Sequence, residues 1–365
     1  MNEREIKIGF VGVGAMGQNA HLRNYIGLPN VQVAAIAEVR PQLAERVAQK
    51  FGVPKTYGSA QEMLDSEKLD GLVAPQPFTM HGQIIAPLYE ANLPILTEKP
   101  LAASVAVGEE MLRVLANSNS WHMVGYHKRS DPAVMWAKKE IERLKSSGEL
   151  GALRYVRILM PSGDFVQNGM SDLLTSSEPM PSMQPDAPPA DMDAKTYEAY
   201  VSFVNYYIHQ VNLLRHLLGE SYRVTHADPS GVLLVAQSDS GVCGTIEMTP
   251  YQTTRDWQES ALVAFERGWI KIELPAPLAL NRAGRVRAYY DGQPSTNQDD
   301  PTLQDGSEYS PREVEPIMPY IGAMRQQAIN FVRAIRGEIA PLCGAEEALQ
   351  DLRVARDYIR LWKGA

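Results

Sequence analysis

The amino-acid sequence predicts an α/β fold with two domains, residues 1–125 and 126–365, the first built around a parallel sheet. Two observations predict the first domain. Short apolar runs alternate with helical segments, and a glycine-rich turn stands where the first apolar run meets its helix. Apolar runs separated by helices are typical of strands buried on both faces of a doubly wound parallel sheet.

The strand runs of this domain are IKIGFVG, VQVAAIA, DGLVAP, LPILTE and WHMVGY. We expect helices between them, beginning at about Met16 and at Pro41, running from about Met80 to Ala91, and following a cap at Ser104. Proline suits the first turn of a helix, and serine suits the capping position before one. Strands and helices therefore alternate through the whole domain.

Composition excludes several classes of protein. The chain has 365 residues, 44% of them hydrophobic and 21% charged, as in ordinary globular proteins. Its net charge of −8, without a long Lys/Arg block, argues against nucleic acid or an anionic membrane as partner. Two cysteines, Cys243 and Cys343, are too few for a disulfide framework or a thiolate metal cage. We expect no metal, no membrane span, no export signal and a cytoplasmic protein.

The glycine-rich turn GVGAMG predicts a dinucleotide site. Gly12 would allow the tight turn after the first strand, Gly14 would let phosphates approach the backbone, and Gly17 would let the helix pack closely. Backbone N–H groups and the helix dipole at such a turn favour a pyrophosphate. Glu38 ends the second strand, about 20 residues later, where an acid that binds the adenosine ribose belongs.

Glu38 and Arg40 predict different cofactors. The Glu38 carboxylate would bind both ribose hydroxyls and repel a 2′-phosphate, which favours NAD. Arg40 could instead attract that phosphate or lie against the adenine, which would favour NADP. NAD is the leading expectation, and NADP stays open.

Two further segments, APQPFTMHG and LTEKPLA, follow strands at the edge where ligands bind in open parallel sheets. Lys99 leaves the strand end immediately before Pro100, which restricts the Lys99 backbone to an extended conformation. The side chain of Lys99 is therefore expected to point in a reproducible direction.

With these motifs, the sequence resembles the Gfo/Idh/MocA family, oxidoreductases named after glucose-fructose oxidoreductase and inositol dehydrogenase. The resemblance covers almost the whole chain and includes GVGAMG, the pair Pro77 and His81, EKPLA, VGYHKRSDP (124–132) and NYYIHQVNLLRHLLG (205–219). It implies an N-terminal Rossmann domain and a C-terminal α/β domain with an open, mainly antiparallel sheet that often forms oligomer contacts. A homodimer or homotetramer is expected through that sheet.

The second half supports this expectation from its own pattern. A helix over DPAVMWAKKEIERLKSSGELG leads to the strand LRYVRILM, and four more strand-like runs are SGVLLVAQS, GVCGTIEMT, ESALVAFE and GWIKIEL. Two helices, near 320–336 and 345–362, end the chain. Residues 161–190 carry six prolines and cannot form one regular element. We interpret them as a substrate-covering loop or inter-subunit arm, with a mobile insertion as the alternative.

The resemblance also implies catalytic roles. Lys99 would lie beside the reacting hydroxyl, and His209 would act as the acid/base. Inositol-dehydrogenase-like members of the family have Asp at the position of Asn205 and usually at that of Asn212, so Asn205 does not supply the negative charge that would stabilise an imidazolium. Asn205, one helical turn before His209, is expected to contact substrate. His127 stands where many members have Asn.

The sequence thus predicts an NAD(P)-dependent oxidoreductase acting on a secondary hydroxyl of a sugar, inositol or glycoside. Alternatives are a redox-neutral enzyme with tightly held NAD, through elimination or epimerisation, and a non-catalytic NAD-binding regulator. The predicted catalytic residues are Lys99, His209 and Asn205. The predicted cofactor-binding residues are Gly12, Gly14, Ala15, Met16, Gly17, Glu38, Arg40, Pro77, His81, Glu98, Lys99 and His127.

Overall fold

The computed structural model describes residues 4–291 and 311–364. Its first sheet has six parallel strands in the order β3-β2-β1-β4-β5-β6. This order places a crevice beside β1, where dinucleotides bind in doubly wound sheets. The strands are β1 (Ile6–Val11), β2 (Val31–Ala37), β3 (Thr56–Tyr57), β4 (Gly71–Ala74), β5 (Ile95–Thr97) and β6 (His122–Val124). The predicted parallel sheet is confirmed.

The helices of this domain are α1 (Arg23–Tyr25), α2 (Pro41–Phe51), α3 (Ala60–Ser66), α4 (His81–Ile84) and α5 (Val105–Ala116). Ser104 caps α5 as predicted, by accepting a hydrogen bond from the N–H of Val107. The first helix differs from expectation, because π-helical turns over Gly17–Leu22 precede α1. The single helix predicted from Met80 to Ala91 is wrong: α4 ends before Pro87, which has no N–H, and a 3₁₀-helix follows over Ala86–Ala91.

The second sheet has eight strands in the order β14-β13-β12-β11-β7-β10-β9-β8, all antiparallel except the pair β7 and β10. This confirms the mainly antiparallel sheet. The strands are β7 (Leu153–Ser162), β8 (Tyr222–Ala227), β9 (Leu233–Ser238), β10 (Cys243–Gln252), β11 (Ser260–Phe265), β12 (Gly268–Glu273), β13 (Arg285–Tyr290) and β14 (Arg312–Val314). The helices are α6 (Pro132–Ser147), α7 (Ala194–Leu218), α8 (Ala323–Ile335) and α9 (Ala345–Lys363).

Helix α8 returns to the first domain although it lies near the end of the chain. Ala328, Phe331 and Val332 share a core with Phe10 and Leu96 of the parallel sheet. Burial of these apolar side chains holds the two halves of the chain together. A boundary at 125/126 therefore separates segments that pack in one core. No helix among residues 4–291 and 311–364 is long and apolar enough to cross a membrane.

Candidate active site

The glycine-rich turn has the geometry that a dinucleotide requires. Gly12 has a φ of +91°, and a Cβ there would lie 2.3 Å from Nε2 of Gln76. A Cβ on Gly17 would lie 2.7 Å from the carbonyl oxygen of Gly12, so only glycine lets the helix approach the strand this closely. At Gly14 the nearest atom would be 4.0 Å away. Open space at Gly14 leaves room for phosphate groups against the backbone.

A cavity of about 830 Å³ runs from this turn to the second domain. Its volume is within the range of pockets that hold cofactors and substrates. One end is lined by Gly12, Gly14, Ala15, Met16, Gly17, Glu38, Arg40 and Ser59, and Pro77 and Phe78 lie between the ends. The other end is lined by Glu98, Lys99, His127, Lys128, Asn205, Tyr206, His209 and Trp257. The fold thus brings all but one of the sequence-predicted site residues to one cavity.

His81 is the predicted residue that lies behind the cavity wall. Its side chain is fully buried, with Nδ1 2.9 Å from the carbonyl oxygen of Leu101 and Nε2 3.1 Å from that of Gln76. Burial lowers the pKa of His81. The ring therefore connects the segment before α4 to the segment after Lys99, and it supports the site from behind.

Glu38 is buried at the end of β2 and already holds three hydrogen bonds that matter for cofactor choice. The N–H of Val13 donates to its Oε2 at 3.0 Å, while Nε and Nη2 of Arg40 donate to Oε1 and Oε2 at 2.8 and 3.1 Å. The Glu38 hydrogen bond is the main cause of a raised pKa at Arg40. Both residues line the same cavity as the glycine-rich turn, and the carboxylate directs the guanidinium.

Lys99 reaches across the cavity to the second domain. Its Nζ donates to the backbone carbonyl of Asn205 at 2.6 Å. Burial lowers the pKa of Lys99, as does the charge of Lys128, while Glu98 opposes both. Glu98 is fixed in turn by His21, whose Nε2 lies 2.7 Å from Glu98 Oε1. A lysine with a lowered pKa can exchange a proton closer to neutral pH than an exposed one.

His209 and His127 meet at the reactive end. Their rings are T-shaped with centroids 4.5 Å apart, and the Nδ1 atoms of both are buried without a hydrogen-bond partner among the described residues. Nε2 is therefore the His209 atom available to a substrate. Burial lowers the pKa of His209 well below its usual value, and the charges of His127, Lys99 and Lys128 add to this effect. Burial lowers the pKa of His127 well below its usual value in the same way, which favours the uncharged ring at both positions.

The second domain contributes Glu259 and Trp257, which no sequence motif indicated, next to Lys128 of the VGYHKRSDP segment. Lys128 forms a buried ion pair with Glu259 at 2.5 Å, and Gln210 donates to the other Glu259 oxygen at 2.7 Å. Lys128 also lies 5.7 Å from the ring centroid of Trp257, which lines the same cavity. Glu259 and Trp257 lie about 130 residues after Lys128, so local pattern could not connect them.

Asn212 lies in a buried network outside the cavity lining, two helical turns after Asn205. Its Oδ1 accepts from Nε of Arg129 at 2.7 Å, and its Nδ2 donates to Oδ2 of Asp351 at 2.8 Å. Arg215 pairs with the other oxygen of Asp351 at 2.5 Å. An amide is needed here because it accepts on one side and donates on the other.

We therefore expect Asn212→Asp to destabilise the protein by roughly 2–4 kcal/mol, since a second buried carboxylate would face Asp351 without a donor between them. Chemical unfolding measures this change. Asn119→Asp makes the same substitution at an exposed position and is expected to change the free energy of unfolding by less than about 0.5 kcal/mol. Equal effects of the two substitutions would contradict the network's role.

Residues 163–192, which connect β7 to α7, are here named the strap. The strap lies across the first domain: Arg23 donates to the carbonyl of Gly169 at 2.9 Å, and Asp186 accepts from the N–H of Gly82 at 2.9 Å. Leu174 exchanges two hydrogen bonds with the Gln18 side chain, directly beside the glycine-rich turn. Phe165, Met180 and Met183 of the strap line the cavity. The strap thus contributes part of the cavity lining, and its interpretation as a substrate-covering loop stays a prediction.

Comparisons with known proteins agree with this geometry. Residues 6–126 match the model of the Gfo/Idh/MocA oxidoreductase family, described as having an NAD-binding Rossmann fold. Residues 6–126 therefore carry the NAD-binding domain of this family. Levoglucosan dehydrogenase of Pseudarthrobacter phenanthrenivorans is 27% identical over 225 residues, covering 60% of this chain and 52% of that protein. The NAD⁺-dependent scyllo-inositol 2-dehydrogenase of Bacillus subtilis is 23% identical over 260 residues, covering 67% of each chain.

Two solved structures share the fold over nearly the full length of this chain and of their own chains. A levoglucosan dehydrogenase with NADH and levoglucosan gives a TM-score of 0.69 at 18% identity, covering 99% of this chain and 98% of that one. The aldose-aldose oxidoreductase of Caulobacter crescentus gives 0.68 at 18% identity, with the same coverage. In sequence, by contrast, the match spans about half the length of the levoglucosan dehydrogenase. The two-domain fold is therefore shared with these structures, but a shared fold does not determine the substrate.

Proposed function

We propose that this protein is an NAD-dependent dehydrogenase that transfers hydride between nicotinamide and a secondary hydroxyl, or the corresponding ketone, of a sugar, inositol or glycoside. The observation that carries this proposal is the placement of Lys99 and His209 at one end of a cavity whose other end has the dinucleotide features. The names of the related levoglucosan and inositol dehydrogenases support a carbohydrate or polyol substrate.

The residues present fit a dinucleotide. Gly12, Gly14 and Gly17 leave space for its pyrophosphate, and Glu38 lies where the ribose hydroxyls are bound. When bound, the nicotinamide ring accepts or returns a hydride. Lys99 and the neutral His209 would hold the substrate hydroxyl and take its proton, and the apolar strap side chains that line the cavity would limit the water in it.

A screen of sugars, sugar acids, inositols and glycosides for reduced-nicotinamide absorbance tests the proposal. Absorbance growth with one substrate class supports it. Product formation without net absorbance would favour the redox-neutral alternative, whereas NAD binding with no product from any class would favour a regulator. Lys99 and His209 at one cavity make catalysis the better hypothesis. Cytoplasmic location and a homodimer or homotetramer through the second sheet stay predictions, the latter measurable by light scattering.

NAD is expected to bind more tightly than NADP because Glu38 repels a 2′-phosphate. Glu38→Ser removes that charge and frees Arg40 from its bidentate partner, so the preference should shift toward NADP. Calorimetric titration of both cofactors into both proteins measures the shift. Asp65→Ser, at an exposed position of α3 where the carboxylate accepts from Gln61, serves as a control for loss of one carboxylate. An unchanged preference in Glu38→Ser would show that the acid is misassigned.

A further inference from the structure

We propose that Glu178, in the strap, is a further residue that selects the cofactor, because it holds a second carboxylate where the 2′-phosphate of NADP would have to lie. This inference rests on the proposed NAD-dependent function. It adds a specificity determinant from the second domain to the one that Glu38 supplies from the first.

Glu178 is seated at the amino end of α2. The N–H of Gln42 donates to its Oε1 and the N–H of Leu43 donates to its Oε2, both at 3.0 Å. Ser176, also in the strap, donates its hydroxyl to Oε2 at 2.7 Å. Without Glu178, these two backbone N–H groups would have no acceptor, and together with the positive end of the α2 dipole they would favour a phosphate at this place. A carboxylate of the chain itself already occupies it.

Arg40 immediately precedes α2 and interacts electrostatically with both carboxylates. Its guanidinium is bound by Glu38, and the charges of both Glu38 and Glu178 raise the pKa of Arg40. A cation that would otherwise attract the phosphate is therefore already compensated from two sides. Arg40 alone does not make this a site for NADP.

The expected position of the adenosine ribose relates Glu178 to the 2′-phosphate of NADP. Glu38 ends β2 and marks where the adenosine ribose hydroxyls lie in a doubly wound domain. A phosphate ester on the 2′-oxygen extends beyond that carboxylate, toward Arg40 and the start of α2. There it would meet the Glu178 carboxylate and find the N–H groups of Gln42 and Leu43 occupied. Like charges brought together in this way are a strong element of discrimination.

The test is the affinity of NAD and NADP for the full-length protein and for Glu178→Gln, measured by calorimetry. The variant keeps the side-chain shape and one acceptor oxygen while removing the charge. NADP should bind about tenfold more tightly than to the original protein, and NAD should change by less than roughly twofold. The double variant Glu38→Ser, Glu178→Gln should favour NADP more than either single variant does.

Asp172→Asn provides a matched control, since Asp172 is a strap carboxylate that pairs with Arg23 and Lys50 and leaves α2's amino end untouched. Its NADP-to-NAD affinity ratio should stay at the original value. The proposal is overturned if Glu178→Gln leaves that ratio unchanged, if both cofactors change equally, or if Asp172→Asn has the same effect. An original protein that binds neither dinucleotide would instead overturn the proposed function itself.

Discussion

Turnover is expected to fall by a factor on the order of 10² or more when Lys99 is replaced by Ala, while NAD affinity changes by less than roughly threefold. The reason lies in the position of the amine. Nζ of Lys99 lies 2.6 Å from the Asn205 carbonyl, at the end of the cavity that His209 also lines. Its lowered pKa leaves more of the amine deprotonated at moderate pH, and so able to accept a proton, than in an exposed lysine. Single-turnover hydride transfer, followed by nicotinamide absorbance, measures the chemical step directly.

Two further variants separate chemistry from packing. Lys99→Arg keeps a positive charge but cannot lose its proton, so it should retain folding and NAD binding yet remain as slow as Lys99→Ala. Lys138→Ala removes a surface lysine of α6 that pairs with Glu142, and its turnover should match the original protein. A Lys99→Ala protein with an unchanged single-turnover rate would remove Lys99 from the mechanism.

Local sequence pattern was sufficient for the parts of the fold that depend on neighbouring residues. The glycine spacing predicted the turn, and the positions of Gly12, Gly14 and Gly17 have the three environments expected of them. The second sheet was predicted less fully. Strand β13 was missed although Val286, Ala288 and Tyr290 are buried in alternation with Arg285, Arg287 and Tyr289. The two-residue periodicity that is typical of a half-buried strand was therefore present in its sequence.

Other features depend on contacts between distant segments, which local pattern does not contain. Glu178 lies 136 positions after Gln42, and Asn212 lies 139 positions before Asp351. The sequence indicated that Asn212 departs from a family pattern, but only the fold shows that it joins a buried cation to a buried carboxylate. His81 gives another example. The sequence around it does not show whether its side chain lines the cavity or is buried behind the cavity wall, where it lies 2.9 Å from the carbonyl oxygen of Leu101.

The second large effect is expected in the pH dependence of hydroxyl oxidation, and it depends on Asn205 and His209. If His209 is the principal base, activity is lost as pH falls through its pKa, because imidazolium cannot accept a proton. Burial and the charges of His127, Lys99 and Lys128 hold that pKa well below its usual value. The acid limb of the profile should therefore lie well below neutral pH in the original protein.

Asn205→Asp should move this limb to higher pH. Asn205 lies one helical turn before His209 and lines the same cavity, so a carboxylate there would favour imidazolium and raise the His209 pKa. A raised pKa keeps the inactive protonated form present up to a higher pH, which gives the direction of the shift. Asn205→Leu, similar in size and uncharged, is the matched control and should not move the limb upward.

His209→Ala should abolish the limb and lower turnover by a factor on the order of 10² or more. Each variant is first shown to fold and to bind NAD, and is then assayed across pH on the substrate found by the screen. If His209 only packs α7 against Tyr126 and His127, its loss would reduce thermal stability and leave the pH profile as it was. An active His209→Ala enzyme with an unaltered profile, together with an unmoved limb in Asn205→Asp, would leave Lys99 as the group that takes the proton.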